Sequence, residues 1–173
     1  MSTDLRGEVR LALETPAWTW RFYLRHFLVV AGLSLVGSVQ RIVVVNWGEH
    51  LPAALSVASE VLVMAARVLL LVIVWRLAMR AVSWRWDNLS AFAREHWPSL
   101  VIQGVLLSVA FLVFDVVAEN VVAGLLPEDA RSAYLGVLLF MKNPTVIALT
   151  FVWWVGLARQ VLRDRDTATV PAT

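Results

Sequence analysis

Four long apolar stretches set the strongest limit on how this 173-residue chain can fold. About 20 apolar residues in a helix are enough to cross the roughly 30 Å hydrocarbon core of a bilayer. Spans are predicted at 22–45, 52–75 and 98–122, and a fourth ends near Leu157. Hydrophobic residues make up 60% of the chain, more than a soluble domain of this length can bury. The sequence predicts an all-α membrane protein, a bundle of four transmembrane helices in one domain over 1–163 with a polar tail at 164–173.

Two amphipathic helices are predicted to lie at the membrane surface, at 3–14 and about 86–97. In the first, Leu5, Val9 and Leu13 recur every four residues, and the charged residues lie mostly away from that stripe. Pro16 is expected to end it, because proline is unfavourable inside a helix. The apolar face of the second is formed by Trp86, Leu89, Ala93 and Trp97.

The start of the fourth span is open to two interpretations. The apolar run 134–141 is too short to cross a bilayer alone. It is either an interfacial segment or the first part of the fourth span, followed by a kink at Pro144.

The basic residues indicate an orientation in the membrane. The formal net charge is +2, and 11 of the 15 basic residues flank the spans on one side. These are Arg6, Arg10, Arg21, Arg25, Arg76, Arg80, Arg85, Arg94, Arg159, Arg163 and Arg165. Since such residues favour the cytoplasmic side, both termini are expected in the cytoplasm, with the protein in the cytoplasmic membrane. Their position beside apolar runs predicts anionic lipid headgroups as partners and not nucleic acid.

The residue types present also narrow the chemistry and the source. Cysteine is absent, which excludes disulfides, thiolate catalysis and cysteine metal sites. Fourteen of the 15 basic residues are arginine, and Lys142 alone is lysine. We interpret this bias as codon usage in a GC-rich, bacterial genome. No motif predicts a cofactor or a metal site.

Polar and charged residues lie inside the predicted spans at a common depth. At about 1.5 Å of rise per residue, one such group in each span lies roughly 24–26 Å from the cytoplasmic face. These groups are Arg41, Glu60, Asp115 and Asn143, with Lys142 beside Asn143 and Glu119 one turn beyond Asp115. Arg67 lies deeper, roughly 14 Å from that face and near the midplane. Together these seven residues form a candidate intramembrane charge network.

The charge network has two interpretations. In the first it is a structural lock, in which Arg41 pairs with Asp115 or Glu60 and fixes how the helices are rotated. In the second it is a transport site, with Arg67 binding an anion in a cavity that opens outward. Arg67 is expected to face the bundle interior in either case, because a guanidinium at this depth cannot easily reach the headgroups.

The functional expectation follows from the small size and the absence of a catalytic motif. The first hypothesis is an accessory, scaffold or interaction subunit that forms a homo-oligomer or joins a larger membrane complex. The alternative is a small-solute or ion transporter that uses Arg41, Glu60, Asp115 and Arg67. The third is a lipid-acting enzyme with Asp115 or Glu119 as a base, for which no nucleophile is evident nearby. Enzymatic activity is the less favoured class.

Overall fold

The computed structural model describes residues 5–47, 50–80 and 82–163, without the side chains of residues 45, 46, 129 and 132. The chain is 91% helical, which confirms the predicted all-α class. Two isolated residues, Trp84 and Arg163, form a β-bridge, and the described part of the chain has no strand. The predicted tail 164–173 and residues 3–4 of the first amphipathic helix lie outside the described residues.

Eight α-helices and two π-helical segments follow one another along the described chain. The helices are α1 (Leu5–Arg25), α2 (Phe27–Trp47), α3 (Ala53–Met79), α4 (Asp87–Glu95), α5 (Trp97–Phe111), α6 (Ala123–Leu125), α7 (Glu128–Lys142) and α8 (Ala148–Leu162). The first π-segment, Leu112–Val122, joins α5 to α6, and the second, Asn143–Ile147, joins α7 to α8.

Four stretches of helix are long and apolar enough to cross a membrane, as the sequence predicted. The first span is Phe27–Val44, the second Ala53–Met79, the third Trp97–Leu125 and the fourth Ala133–Leu162. The fourth span includes residues 134–141, so this apolar run belongs to the span. The chain is therefore a multi-pass membrane protein.

The core is built from three of the four spans and from α1. Its buried residues come from α1, α2, α3 and α8, and the third span contributes none of them. They are Phe22, Tyr23, Val30, Leu70, Val74, Ala78, Ala148, Val152 and Val155. The third span packs instead on α1 and α4 near its start and on α7 near its end.

Helix α1 runs unbroken through Pro16, so the helix boundary predicted there is wrong. Its buried face, which includes Ala12 and Thr15, packs on α5 and α8. A methyl group at Gly156 of α8 would lie 2.7 Å from the Trp18 ring, so the two helices are in close contact. This packing offsets the cost of about 3 kcal/mol for proline inside a helix. The neighbouring stripe of Leu5, Val9 and Leu13 is exposed, and its contact with a membrane surface stays a prediction.

The loop before α4 closes the end of α8. The last carbonyls of a helix have no partner within the helix itself. The backbone N–H of Arg85 donates to the carbonyl of Leu162 at 3.1 Å, and Asn88 Nδ2 donates to the carbonyl of Arg163 at 3.2 Å. Phe92 is buried, while Trp86, Leu89 and Trp97 remain exposed. This end of the molecule therefore presents an exposed aromatic surface.

Candidate functional site

A cluster of three charged side chains joins the third and fourth spans. Lys142 Nζ donates to Glu119 Oε1 at 2.5 Å and also to Asp115 Oδ1. The lysine side chain is 14% exposed, and those of Asp115 and Glu119 are 35% and 26% exposed. We call these three residues the charged triad. Its formal charge is −1, because one cation faces two carboxylates.

The residues of the charged triad lie in or directly beside the two π-segments. Asp115 and Glu119 lie four residues apart in the first π-segment, and Lys142 ends α7 where the second begins. Residues four apart lie on the same side of a helix, so both carboxylates face the lysine. π-helical turns are rare, and they occur frequently at functional sites.

Pro144 explains the change of helix type in the fourth span. Proline has no N–H, so the carbonyl of Phe140, four residues earlier, loses its helical partner. Ser38 of α2 donates a hydrogen bond from Oγ to this carbonyl at 2.5 Å. The hydroxyl of Tyr23 donates to the carbonyl of Pro144 at 2.7 Å. Hydroxyls from other helices thus satisfy backbone groups that lipid could not.

The structure does not bring Arg41 or Glu60 to the triad. Both are exposed, and neither forms an ion pair within the described part of the chain. The structure therefore does not show the expected pairing of Arg41 with Asp115 or Glu60, because Asp115 binds Lys142 and both Arg41 and Glu60 are exposed. The carboxylates of the third span bind Lys142 of the fourth span, its neighbour at this end of the molecule.

Arg67 and Asn143 line a small cavity inside the helix bundle. Arg67 is half-buried and borders a cavity of about 10 Å³ together with Ser34, Gly37 and Asn143. This volume is close to the lower limit for one water molecule. Asn143 is buried, and its side chain lies 3.3 Å from where a methyl group at Gly37 would be. Arg67 thus faces the interior, in a space too small for a solute.

A buried polar network that sequence reasoning missed lies at the opposite end of the fourth span. Gln160 Oε1 accepts hydrogen bonds from Thr15 Oγ1 at 2.8 Å and from Gln103 Nε2 at 2.9 Å. Gln160 Nε2 donates to the carbonyl of Leu11 at 2.8 Å. His96, directly before α5, lies with its Nδ1 2.8 Å from Oε1 of Glu8 in α1. The network ties α1 to α5 and α8. One signal for it in the sequence is Gln103, a lone amide in an apolar run.

Four side-chain atoms on α1 and α5 are buried without a hydrogen bond among the described residues. They are Glu8 Oε2, Thr19 Oγ1, Ser99 Oγ and Gln103 Oε1. Buried polar atoms of this kind usually bind ordered water.

The two polar ends of the fourth span are separated by about one membrane thickness. Lys142 and Gln160 are 18 residues apart, or about 27 Å at 1.5 Å per residue. The hydrocarbon core of a bilayer is about 30 Å thick. The charged triad and the polar network are therefore about one hydrocarbon thickness apart, with Lys142 nine residues inside the fourth span, Ala133–Leu162.

A groove separates the middle of the third span from the fourth. It consists of two cavities of about 210 Å³ and 450 Å³, which share Phe111, Val146 and Thr150. Asp115 and Lys142 line the smaller cavity, and Ser108 and Trp154 line the larger. Thr150 Oγ1 donates to the carbonyl of Val146 in its own helix, so this hydroxyl is satisfied within the wall. The groove is thus an apolar space with the charged triad at one end.

Within the described ranges, no group of three histidine or acidic side chains is placed to hold a metal ion. Comparison with protein-family models, with curated proteins and with solved structures found no match to this chain.

Proposed function

We propose that the protein is an interaction subunit of the cytoplasmic membrane that binds a second membrane-embedded protein or a second copy of itself. The outward side of the third span is the proposed binding surface. The observation that carries this proposal is the position of that span outside the core.

Burial separates the third span from the others. In its most apolar 18-residue stretch 6% of the residues are buried, against 22%, 17% and 22% in the first, second and fourth spans. Transmembrane helices are held together by close packing and hydrogen bonds, because in lipid there is no hydrophobic driving force for their association. A span that packs on its neighbours only near its ends is therefore stabilised most when another helix packs against it.

The outward side carries a regular stripe. Val101, Val105 and Val109 recur every four residues, are each more than half exposed, and do not line the groove. We call these three residues the outward stripe. β-Branched side chains are stiff, so they lose little entropy when another helix packs on them.

The charged groups inside the spans support a structural role over a catalytic one. Lys142 binds both carboxylates that a lipid-acting enzyme would need as a base. We propose a structural lock in which Lys142, and not the predicted Arg41, is the cation.

The proposed orientation has both termini in the cytoplasm. The polar network and the Arg-rich flanks then lie at the cytoplasmic boundary, where the arginines contact anionic lipids and the exposed Trp86 and Trp97 lie at the membrane interface. The charged triad lies at the opposite boundary.

Cysteine cross-linking tests the proposed surface, since the chain has no cysteine of its own. Val105→Cys is treated in native membranes with a bifunctional maleimide, and the mass of the native complex is measured after mild extraction. We expect a covalent adduct and a complex larger than one chain. Val68→Cys in the second span is the matched control, because Val68 is 53% exposed and Val105 is 56% exposed. A monomer in both measurements would overturn the proposal.

Transport is the second candidate, favoured by the groove beside the charged triad. A transport path needs water in the groove, which a water-soluble thiol reagent detects at Ser108→Cys. Fast modification from the aqueous phase would support a path, and protection would count against it. Neutral replacement of Asp115 would then abolish flux without unfolding the protein.

A further inference from the structure

The groove between the third and fourth spans has the length of one lipid leaflet. From Asp115 to Leu107 is eight residues, or about 12 Å, and from Lys142 to Trp154 is twelve residues, or about 18 Å. Half of the hydrocarbon core is about 15 Å thick. A groove that begins at the charged triad and extends this far accepts one extended acyl chain.

The side chains that line the groove and its volume also suit an acyl chain. Phe111, Leu112 and Trp154 line the larger cavity and are 60%, 52% and 62% exposed, so the groove opens sideways toward lipid. Ligand pockets commonly have volumes of about 300–1,000 Å³, and the larger cavity has 450 Å³. A lipid tail can enter from the membrane without crossing a polar barrier.

The charge of the triad selects the headgroup. Lys142 engages one oxygen of each carboxylate, and the second oxygens, Asp115 Oδ2 and Glu119 Oε2, accept no hydrogen bond within the described ranges. A primary ammonium group offers three N–H donors to such oxygens, whereas a quaternary ammonium offers none. Hydrogen bonds to charged groups are the stronger ones. The net charge of −1 also disfavours a purely anionic headgroup.

We propose that this groove binds a phospholipid with a primary ammonium headgroup, taken from the leaflet at the Lys142 end of the molecule. The ammonium group binds the second oxygen of Asp115, which lines the smaller cavity beside Lys142, and Lys142 faces the lipid phosphate. One acyl chain lies along Phe111 and Val146 toward Trp154. This site uses the inner side of the third span and is separate from the outward stripe.

Native mass spectrometry tests the site directly. The protein is reconstituted in bilayers that contain equal amounts of phosphatidylethanolamine and phosphatidylcholine with the same acyl chains, and the retained lipids are counted. We expect a preference for the ethanolamine lipid of about threefold to tenfold, the effect of one charge-assisted hydrogen bond at a partly exposed site. Asp115→Asn together with Glu119→Gln should remove the preference. Glu60→Gln, at an exposed carboxylate of the second span, should leave it unchanged.

A second variant keeps the test valid if the double variant unfolds. Ser108→Phe fills the larger cavity without touching the charged triad, and it should reduce retention of both lipids. Equal retention of the two lipids by the natural chain would overturn the proposal, as would an unchanged preference in a folded double variant. Retention of dodecylammonium without either phospholipid would also overturn it and assign the groove to soluble cationic amphiphiles. None of these outcomes depends on cross-linking at Val105.

Discussion

At the scale of single residues, one hydroxyl and one charged side chain provide partners for polar groups inside the apolar layer. Ser38 supplies a donor for the Phe140 carbonyl that Pro144 leaves without a partner. Lys142 supplies the counter-charge for Asp115 and Glu119. Both residues compensate for groups that are costly in lipid, so each gives a direct prediction about stability.

Ser38→Ala should lower the free energy of unfolding by about 1–3 kcal/mol, the cost of leaving a buried carbonyl unsatisfied. Thermal unfolding in mild detergent measures the change. Ser34→Ala is the matched control, because Ser34 Oγ donates to the carbonyl of Val30 in its own helix. If both variants lose the same stability, the Ser38 hydrogen bond does not support the kink.

Lys142→Met should destabilise the protein by about 1–3 kcal/mol, because two carboxylates then lie together without a cation. This is less than the 3–5 kcal/mol for breaking a fully buried pair, since Asp115 and Glu119 are partly exposed. In a mutant cycle, adding Asp115→Asn and Glu119→Gln should recover most of the stability that Lys142→Met loses. Arg41→Gln, at an exposed position, serves as the control and should be near neutral. A larger effect at Arg41 than at Lys142 would contradict the pairing described here.

At the scale of elements, glycine decides how closely α1 and α8 approach. The Trp18 ring and Thr15 Cγ2 lie 2.7 Å and 3.2 Å from where a methyl group at Gly156 would be. The guanidinium of Arg159 lies 5.3 Å from the centre of the Trp18 ring, close enough for a cation–π contact. The contact therefore has little room for a larger residue.

Gly156→Ala should push α1 away from α8 and cost about 1–3 kcal/mol, as overpacking of a well-packed contact does. Gly104→Ala is the matched control, because no atom lies within 4 Å of the added methyl group. Alanine is the better helix former by about 0.5–1 kcal/mol, so this control should be neutral or stabilising. Thermal unfolding of both variants checks the contrast. If Gly156→Ala is more stable than the natural chain, α1 can move away from α8 without a loss of stability.

At the scale of the whole molecule, the two polar layers and the arginine bias define a direction across the membrane. The triad and the Gln160 network lie about 27 Å apart along the fourth span. By their sequence positions, eleven of the 15 basic residues are predicted to flank the spans on the side of Gln160. This asymmetry is the basis of the proposed orientation.

Single cysteines at opposite ends should react differently with a membrane-impermeant maleimide on intact cells. His50→Cys, between the first and second spans, and Glu128→Cys, at the start of α7, lie on the side predicted outside and should be labelled. Trp86→Cys lies beside α4 and should be labelled only after the membrane is permeabilised. All three positions are exposed, so folding does not hide them. The reverse labelling pattern would invert the orientation.

The sequence by itself determined the helical class, the four spans and the charge difference between the two ends. These properties follow from local composition. Backbone groups in lipid must form their hydrogen bonds within a helix, and the arginines that flank the spans set the orientation in which the chain inserts. It also identified Asp115, Glu119 and Lys142 as unusual, since charge in an apolar run is costly wherever the helix packs.

Only the tertiary structure decided which of these groups meet. The partner of Asp115 is Lys142 and not Arg41, the third span stands outside the core, and Gln160 connects α1 to α5. The continuation of α1 through Pro16 likewise depends on its packing against Gly156. Helix rotation and neighbour choice are set by many weak contacts between residues far apart in the chain. Periodicity within one helix carries no information about which neighbour its polar side will face.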